Sequence, residues 1–405
     1  MDIDFVRAQF PAFADPALAG WGFFENAGGS YTCRQTIERL TQFYTRTKVQ
    51  PYAPYPVSQA AGKAMDEAYA RLAPMLGVDE DEVHFGPSTT QNAYVLAQAF
   101  RPLWREGDEV IVTDQDHEAN SGPWRRLADS GIVLREWRVD PDTGHLDPAR
   151  LADLLGPRTR LVAFPHASNI VAEINPVAEI AAMVRAAGAV SVVDGVSYAS
   201  HGLPDIGSLG PDIYLFSAYK TFGPHQGVMV VRRALAEALV NQSHFFNAGS
   251  LRKKLVPAGP DHAQVAAMSG VAQYFDDLHT HHFTTGAAPD QRCARVHDMM
   301  RAREAALLAP LMDWVRGRND VRLLGPDDPA RRAPTVSLVC NRPGLAVATD
   351  LAAHKVMAGG GHFYAWRLVE AMGVEPEHGV LRLSFLHYTT EGEVARAVDA
   401  LDAVL

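Results

Sequence analysis

Short apolar runs alternate with longer stretches of helical periodicity between about residues 81 and 232, and this alternation constrains the fold most. Each run has four to seven residues rich in Val, Ile, Leu or Phe, which is typical of strands buried on both faces. The predicted strands are Glu82–Gly86, Glu109–Thr113, Val133–Val139, Leu161–Phe164, Val190–Asp194, Asp212–Phe216 and Val228–Val231. Helices are predicted between several of them at Gln91–Leu103, Pro123–Ser130, Asp147–Leu155 and Pro176–Ala187. The pattern predicts an α/β fold with a mostly parallel, doubly wound sheet.

The pattern changes after about residue 250, which indicates a second, smaller α+β domain. Its predicted elements are a long helix, three strands and a closing helix, at Arg292–Arg316, Val321–Leu324, Val336–Cys340, Val380–Phe385 and Glu391–Leu405. Two N-terminal helices, Thr32–Thr47 and Val57–Leu76, are expected to cross between the parts. We expect residues 1–30 to contribute to the active site and the small domain, 31–275 to form the large domain, and 276–405 to form the small domain.

Charge and cysteine usage exclude several classes of function. The chain of 405 residues has a formal net charge of −10 and no Lys/Arg-rich stretch, which disfavours nucleic acid and anionic membranes as partners. No run approaches the about 20 apolar residues of a membrane helix. The three cysteines show no metal-binding spacing, and the histidines of LHTHHF fit an exposed helix end better than a metal site. The sequence thus predicts a cytoplasmic protein without a metal centre.

Lys220 and Asp194 each follow a predicted strand, at the sheet edge where open α/β folds bind ligands. A lysine beside a Gly/Pro turn at the end of a buried strand can have a lowered pKa and form an imine with a carbonyl group. A carboxylate at the tip of a buried strand needs a cationic partner, such as the pyridinium nitrogen of pyridoxal 5′-phosphate (PLP). Taken singly, Lys220 also fits a solvated loop residue, and Asp194 fits a helix cap or a structural ion pair.

Hydroxyl side chains stand at the start of a predicted helix. Ser88, Thr89 and Thr90 precede the helix at Gln91, and free backbone N–H groups at a helix N-terminus bind phosphate. Ser217 and Tyr219 could add phosphate contacts from the lysine loop. Simple helix capping is the alternative for residues 88–90.

Three more residues complete the pattern. The His117 imidazole could stack on a pyridine ring and move protons, and the Asn169 amide could bond the ring hydroxyl of PLP. Arg382 lies among apolar residues on a small-domain strand, where a guanidinium requires a carboxylate such as that of an amino acid. The ordinary alternatives are a surface histidine, a turn asparagine and an internal salt bridge.

The order of these features resembles the fold-type I PLP enzymes of aminotransferase class V, and among them the cysteine desulfurase-like group. The most specific match is VVDGVSYASHG followed by FSAYKTFGPH, which carries both Asp194 and Lys220. Four segments resemble the family's N-terminal segment, phosphate turn, ring-stacking His stretch and SN…NP segment: GFFENAGGS, FGPSTTQNA, DHEANSGPW and HASNIVAEINPV. RLSFLHYTTEGEV is similar to the C-terminal segment with the carboxylate-binding Arg.

The resemblance implies a PLP-binding large domain with a mostly parallel seven-stranded sheet, a small C-terminal domain, an amino-acid substrate and a homodimer. It implies catalytic roles for Lys220, Asp194 and His117, with Ser197 as a further cofactor contact three residues after the Asp. The remaining candidates are substrate contacts, namely Asn26, Ala27, His362 and Tyr364, besides Arg382.

The chain also departs from the family pattern. The family's loop cysteine is missing from HKVMAGGGHFYAWRL, Ser197 replaces a Gln or His, Pro260 replaces a Thr or Ser, and Glu25 replaces an Asp. We interpret Gly359–Gly361 as a flexible loop on the site's rim. Transamination and β-elimination of the C–S lyase type are the expected reactions. Cysteine desulfuration, epimerisation and a catalytically degenerate binding module are the alternatives.

Overall fold

The computed structural model describes residues 1–284 and 286–405 and contains two principal sheets and one two-stranded ribbon. Its strands are β1 (Gly22–Phe23), β2 (Val83–Gly86), β3 (Glu109–Thr113), β4 (Val133–Trp137), β5 (Thr159–Pro165), β6 (Val190–Asp194), β7 (Ile213–Ser217), β8 (Gly227–Val231), β9 (Arg322–Leu324), β10 (Thr335–Val339), β11 (Val356–Met357), β12 (Gly359–Gly361) and β13 (Val380–Ser384).

The larger sheet has seven strands in the order β2-β8-β7-β6-β5-β3-β4. Strands β3 to β7 run parallel, whereas β8 is antiparallel to both of its neighbours. The predicted α/β fold with a mostly parallel seven-stranded sheet is therefore confirmed. The interior strands β3 and β7 are buried at every residue, as their continuous apolar sequence requires.

Helices cover the sheets and connect their strands. They are α1 (Ile3–Ala8), α2 (Arg34–Gln42), α3 (Pro56–Met75), α4 (Thr89–Phe100), α5 (Glu118–Arg125), α6 (Pro148–Leu154), α7 (Val177–Ala186), α8 (Ile206–Leu209), α9 (Arg233–Ala238), α10 (Leu251–Lys254), α11 (His262–His282), α12 (Pro289–Arg316), α13 (Gly344–Ala353), α14 (Trp366–Ala371) and α15 (Glu391–Val404).

One helix begins earlier than predicted, and most of another was not predicted, for physical reasons. Helix α5 begins at Glu118 rather than at Pro123, because the His117 side chain caps it by accepting the backbone N–H of Ala119 at 3.0 Å. Of the 21-residue helix α11, the sequence indicated only the C-terminal end, at the histidines of LHTHHF. Residues on most sides of α11 are buried, so its sequence lacks the one-sided periodicity that identifies a surface helix. It packs against α2 and α3.

The smaller sheet has the order β12-β13-β10-β9 and is antiparallel. Gly359–Gly361 forms strand β12 of this sheet, so the prediction of a flexible loop was wrong. A Cβ on Gly360 would lie 2.2 Å from the backbone of Gly344, so glycine allows β12 to approach α13 closely. The core beneath this sheet includes Phe24, which extends from the N-terminal segment, together with residues of α12, α13 and α15.

No helix in the described part of the chain is long and apolar enough to cross a membrane.

Candidate active site

A cavity of about 580 Å³ opens at the C-terminal ends of the parallel strands. Eleven of the fifteen candidate residues line it: Ser88, Thr89, Thr90, His117, Asn169, Asp194, Ser197, Ser217, Tyr219, Lys220 and Tyr364. Asn26 and Ala27 line a much smaller adjoining pocket, which also contacts Ser197 and Lys220. Arg382 and His362 line neither. The ends of separate strands thus bring together residues that are more than 270 positions apart in sequence.

Lys220 and Asp194 face this cavity from two adjacent parallel strands. Asp194 is the last residue of β6 and pairs in register with Leu215 of β7, and Lys220 comes three residues after the end of β7. Burial, followed by the charge of Arg382, lowers the pKa of the Lys220 amine to about 8. Burial raises the pKa of the Asp194 carboxyl to about 6, although one of its oxygens accepts the N–H of Val196 at 2.8 Å. Both groups therefore titrate much closer to neutral pH than usual.

Hydroxyl groups and a helix N-terminus form one end of the cavity. The Ser88 side chain caps α4 by accepting the N–H of Gln91 at 3.2 Å, and the hydroxyls of Thr89 and Ser217 are 2.8 Å apart. A Cβ on Gly227 would lie 2.3 Å from the carbonyl carbon of Ser88, so only glycine lets β8 pass this close to the turn. This end combines hydroxyls, N–H groups and the positive end of a helix dipole, and it suits an anion.

His117 and Tyr364 lie next to each other in the cavity lining. Their ring centroids are 5.4 Å apart, and the rings are tilted by 38°. Burial, with the charges of Lys220 and Arg382, lowers the pKa of His117 to about 3, so its ring is neutral at physiological pH. A neutral, half-buried imidazole held by its capping hydrogen bond offers a fixed flat surface to an aromatic ligand.

The segment Phe363–Tyr364 is tied to the large sheet's side of the cavity. The amide nitrogen of Asn169 donates to the Phe363 carbonyl at 2.9 Å, and the N–H of Glu118 donates to the Tyr364 carbonyl at 2.8 Å. Phe363 and Tyr364 have φ angles of 48° and 59°, which are uncommon for residues other than glycine. The side-chain amide nitrogen of Asn169 is thus already engaged, and its side-chain oxygen Oδ1 has no hydrogen-bond partner among the residues the structure describes.

Arg382 is buried and holds an ion pair within the protein. One guanidinium nitrogen donates to a Glu25 carboxylate oxygen at 2.6 Å, and another donates to the backbone carbonyl of Asn169 at 3.3 Å. The Phe363 ring covers the guanidinium at 3.6 Å. The internal salt bridge that the sequence left open as an alternative for Arg382 is present.

The other substrate-contact candidates mainly make local contacts. The Asn26 amide donates to the carbonyls of Phe23 and Ser384, each at 3.0 Å, and the backbone N–H of Ala27 donates to the Ser384 hydroxyl at 2.8 Å. The His362 ring accepts the N–H of Tyr364 at 3.2 Å. These residues fix the backbone beside the cavity.

Sequence reasoning missed several residues of the site. Tyr94, Gln115, Glu118, Arg126 and His225 also line the cavity. His225 stacks on Tyr219 with a centroid distance of 4.8 Å, and its place in the lysine motif was a usable signal. The others were not singled out because single polar residues in loops and on helices carry little information.

The three cysteines lie away from the cavity. Cys33, Cys293 and Cys340 are all buried, and none of them is among the described residues that line the cavity. Burial raises the pKa of the Cys340 thiol to about 11, which disfavours the reactive thiolate. No group of three or more His, Cys, Asp or Glu side chains suited to a metal occurs in the ranges 1–284 and 286–405.

The residues present fit PLP. Its aldehyde requires an amine of lowered pKa, its ring nitrogen a buried carboxylate, its phosphate an anion-binding helix terminus and its ring a flat partner. Lys220, Asp194, the α4 terminus and His117 provide these four groups around one cavity. The two unusual pKa values of Lys220 and Asp194 match a covalent amine and an acidic partner for a pyridine nitrogen.

The aminotransferase class-V family model matches residues 22–261. The aminotransferase-like protein FGM3 of Gibberella zeae is 34% identical and covers 100% of this chain and 98% of its own length. A cysteine desulfurase of Pectobacterium carotovorum is 28% identical over 99% of this chain and 98% of its own length. The apo structure of a cysteine desulfurase from Thermococcus onnurineus shares the fold, with a TM-score of 0.86, 21% identity, and coverage of 99% of this chain and 98% of that one.

The family match and the full-length relative agree with the fold and with the site. Members of this family are PLP-dependent and act on amino acids. The chain therefore belongs to the aminotransferase class V family of fold-type I PLP enzymes, in its cysteine desulfurase-like group.

Proposed function

We propose that this enzyme binds PLP through Lys220 and transforms an amino acid by transamination or by β-elimination. The observation that supports the proposal best is the placement of Lys220 and Asp194 on adjacent strand ends facing one cavity. The lowered pKa of Lys220 and the raised pKa of Asp194 fit a covalent amine and a cofactor-binding carboxylate.

The large sheet's side of the cavity would hold the cofactor. Lys220 would bind the aldehyde carbon, Asp194 would pair with the ring nitrogen, and His117 would stack on the ring. The α4 N-terminus, with Ser88, Thr89, Thr90, Ser217 and Tyr219, would receive the phosphate, while Asn169 and Ser197, which line the same cavity, would contact the ring hydroxyl. Bound in this way, PLP supplies the electron sink that lets a proton leave the substrate's α-carbon.

The chain's own residues then orient the substrate and move its proton. Arg382 binds the substrate carboxylate, which aligns the α-carbon with the Lys220 amine. Lys220, once the substrate amine has taken its place on the cofactor, would accept the α-proton, because its lowered pKa leaves a useful fraction of neutral amine near physiological pH. Asn26, Ala27, His362 and Tyr364 shape the substrate's surroundings.

Placement of the cysteines disfavours desulfuration through a persulfide. The loop that carries the family's cysteine contains Tyr364 at the cavity, and the nearest cysteine in sequence, Cys340, is buried. A persulfide route needs an accessible thiolate at the substrate. Transamination and β-elimination need only Lys220 as the proton carrier.

We infer that the protein acts as a cytoplasmic homodimer. Residues 31–275 would form its large domain and 276–405 its small domain, with residues 1–30 contributing to both the site and the small domain. The negative net charge supports a small-molecule substrate rather than a nucleic acid or an anionic membrane.

Turnover of an amino-acid panel by the purified, PLP-loaded protein tests the proposal. Product that depends on an added keto acid identifies transamination, and release of pyruvate with or without sulfide identifies β-elimination. Lys220→Ala is the control and should lack both activities. PLP binding without turnover of any panel member would contradict the proposal and favour a binding module.

A further inference from the structure

Glu25 forms an ion pair with Arg382, the residue that binds the substrate carboxylate in the proposed function. The Glu25 carboxylate and Arg382 meet at 2.6 Å. The Arg382 side chain is 2% exposed, whereas the Glu25 side chain is 29% exposed. The arginine is therefore fixed inside the protein, while part of the Glu25 side chain is exposed to solvent.

This ion pair leaves hydrogen-bonding capacity unused on both sides. Glu25 contacts the guanidinium through Oε1 alone, and its other oxygen, Oε2, is buried without a hydrogen-bond partner in the described chain. The Nε of Arg382 is likewise buried and unpaired within residues 1–284 and 286–405. A guanidinium binds a carboxylate best through two parallel hydrogen bonds, so this one-point contact is weaker than a two-point contact from a ligand.

Glycines make the space in which Glu25 reaches Arg382. Gly359 lies directly opposite Arg382 across the β12–β13 ladder, and a Cβ there would be 2.5 Å from Oε2 of Glu25. A Cβ on Gly28 would be 2.8 Å from Oε1. The glycine at position 359, which the sequence suggested was a loop residue, thus forms one wall of a recess for the Glu25 carboxylate.

Phe363 closes the same recess from the cavity side. Its ring lies 3.6 Å from the Arg382 guanidinium, and the Gly359 position would place a Cβ 2.8 Å from that ring. Arg382 is consequently absent from the cavity lining. Phe363 covers it, and the next residue, Tyr364, lines the cavity.

We propose that Glu25 is a specificity-determining residue that stands in for the substrate carboxylate on Arg382, so that only a ligand carboxylate that displaces it gains the arginine. The inference rests on the proposed function. Binding then consists of an exchange. The Glu25 carboxylate turns away, and the ligand carboxylate binds the guanidinium nitrogen that Glu25 releases together with the unpaired Nε. Ligands without a carboxylate leave the internal pair intact and gain nothing from Arg382.

Equilibrium titration of the PLP-loaded protein tests this exchange. L-alanine and ethylamine are titrated separately, and the absorbance change of the lysine-bound cofactor reports each dissociation constant. The variants are Glu25→Gln, which removes the competing charge, and Glu25→Asp, which shortens the side chain by one methylene. Glu67→Gln is the matched control, because Glu67 is 35% exposed and pairs with Arg39 at 3.0 Å away from the cavity.

Glu25→Gln should tighten L-alanine binding roughly fivefold, the effect of losing one partly exposed competing ion pair, and leave ethylamine binding unchanged. Glu25→Asp should fall between Glu25→Gln and the wild type, and Glu67→Gln should match the wild type. The inference is overturned if both Glu25 variants bind L-alanine no more tightly than the wild type. It is also overturned if no protein binds L-alanine detectably. Either result leaves the proposed function standing. Equal tightening for ethylamine also overturns it. Absence of the lysine-bound cofactor band from the wild type would instead refute the proposed function itself.

Discussion

The two sides of the cavity are built differently. On the side of the large sheet, Lys220 and Asp194 are positioned by adjacent strands whose backbone ladder fixes their spacing. On the side of the smaller sheet, Glu25, Phe363 and Arg382 lie next to the cavity lining, and side-chain contacts between segments distant in sequence position them. The first arrangement is fixed by backbone hydrogen bonds between strands, whereas the second depends on side-chain contacts. Substitutions should therefore have large effects on the first side and small ones on the second.

The largest expected effect is that of Asp194→Asn. The substitution keeps the shape of the side chain and removes the carboxylate beside the cofactor's ring nitrogen, so turnover per bound cofactor should fall by about 100-fold or more. Asp114→Asn is the control, because Asp114 is also buried at the end of a parallel strand and accepts a backbone N–H, from Val139 at 2.8 Å. Equal losses of turnover in the two variants would show that the effect comes from removing any buried carboxylate and not from the position of Asp194 beside the cofactor.

Cofactor capture should depend steeply on pH. Because burial lowers the pKa of Lys220 to about 8, the neutral amine becomes more abundant as pH rises through this value. The rate at which PLP-free protein captures PLP should increase about tenfold per unit below pH 8 and level off above it. Stopped-flow absorbance between pH 6 and 10 measures this rate. A rate that keeps rising beyond pH 9.5 would indicate an ordinary lysine.

A smaller effect is expected for His117. In a Lys220→Ala background, where only non-covalent contacts hold the cofactor, His117→Ala should weaken PLP binding about fivefold. His117→Phe should bind PLP nearly as well as the parent, because a neutral imidazole and a phenyl ring stack in a similar way. Equilibrium dialysis gives both dissociation constants. An equal loss in the two variants would contradict a stacking role.

The smallest effect is predicted for the hydroxyl of Tyr364. This side chain is 69% exposed, and it contacts His117 through its ring rather than through its oxygen. Tyr364→Phe should change turnover less than about twofold, since exposed substitutions have small effects. A tenfold loss in turnover would mean that the phenol takes part in the chemistry, and the contrast between the two sides would then fail.

The same contrast explains which features the sequence could predict. A parallel sheet places the residues after its strands along one edge, so Asp194 and Lys220 could be assigned to one site from the order of strands alone. The pairing of Glu25 with Arg382 spans 357 positions and depends on the space above Gly359, which no local pattern encodes. Most of helix α11 was missed for a related reason, because burial on most sides removes the periodic signal.

The visible absorbance spectrum of the purified protein, wild type beside Lys220→Ala, before and after borohydride, tests the central claim most directly. The account predicts a band of lysine-bound PLP in the wild type that borohydride abolishes, and no such band in the variant. A wild type that is supplied with PLP and shows no such band would contradict the account, because Lys220 would then not hold the cofactor.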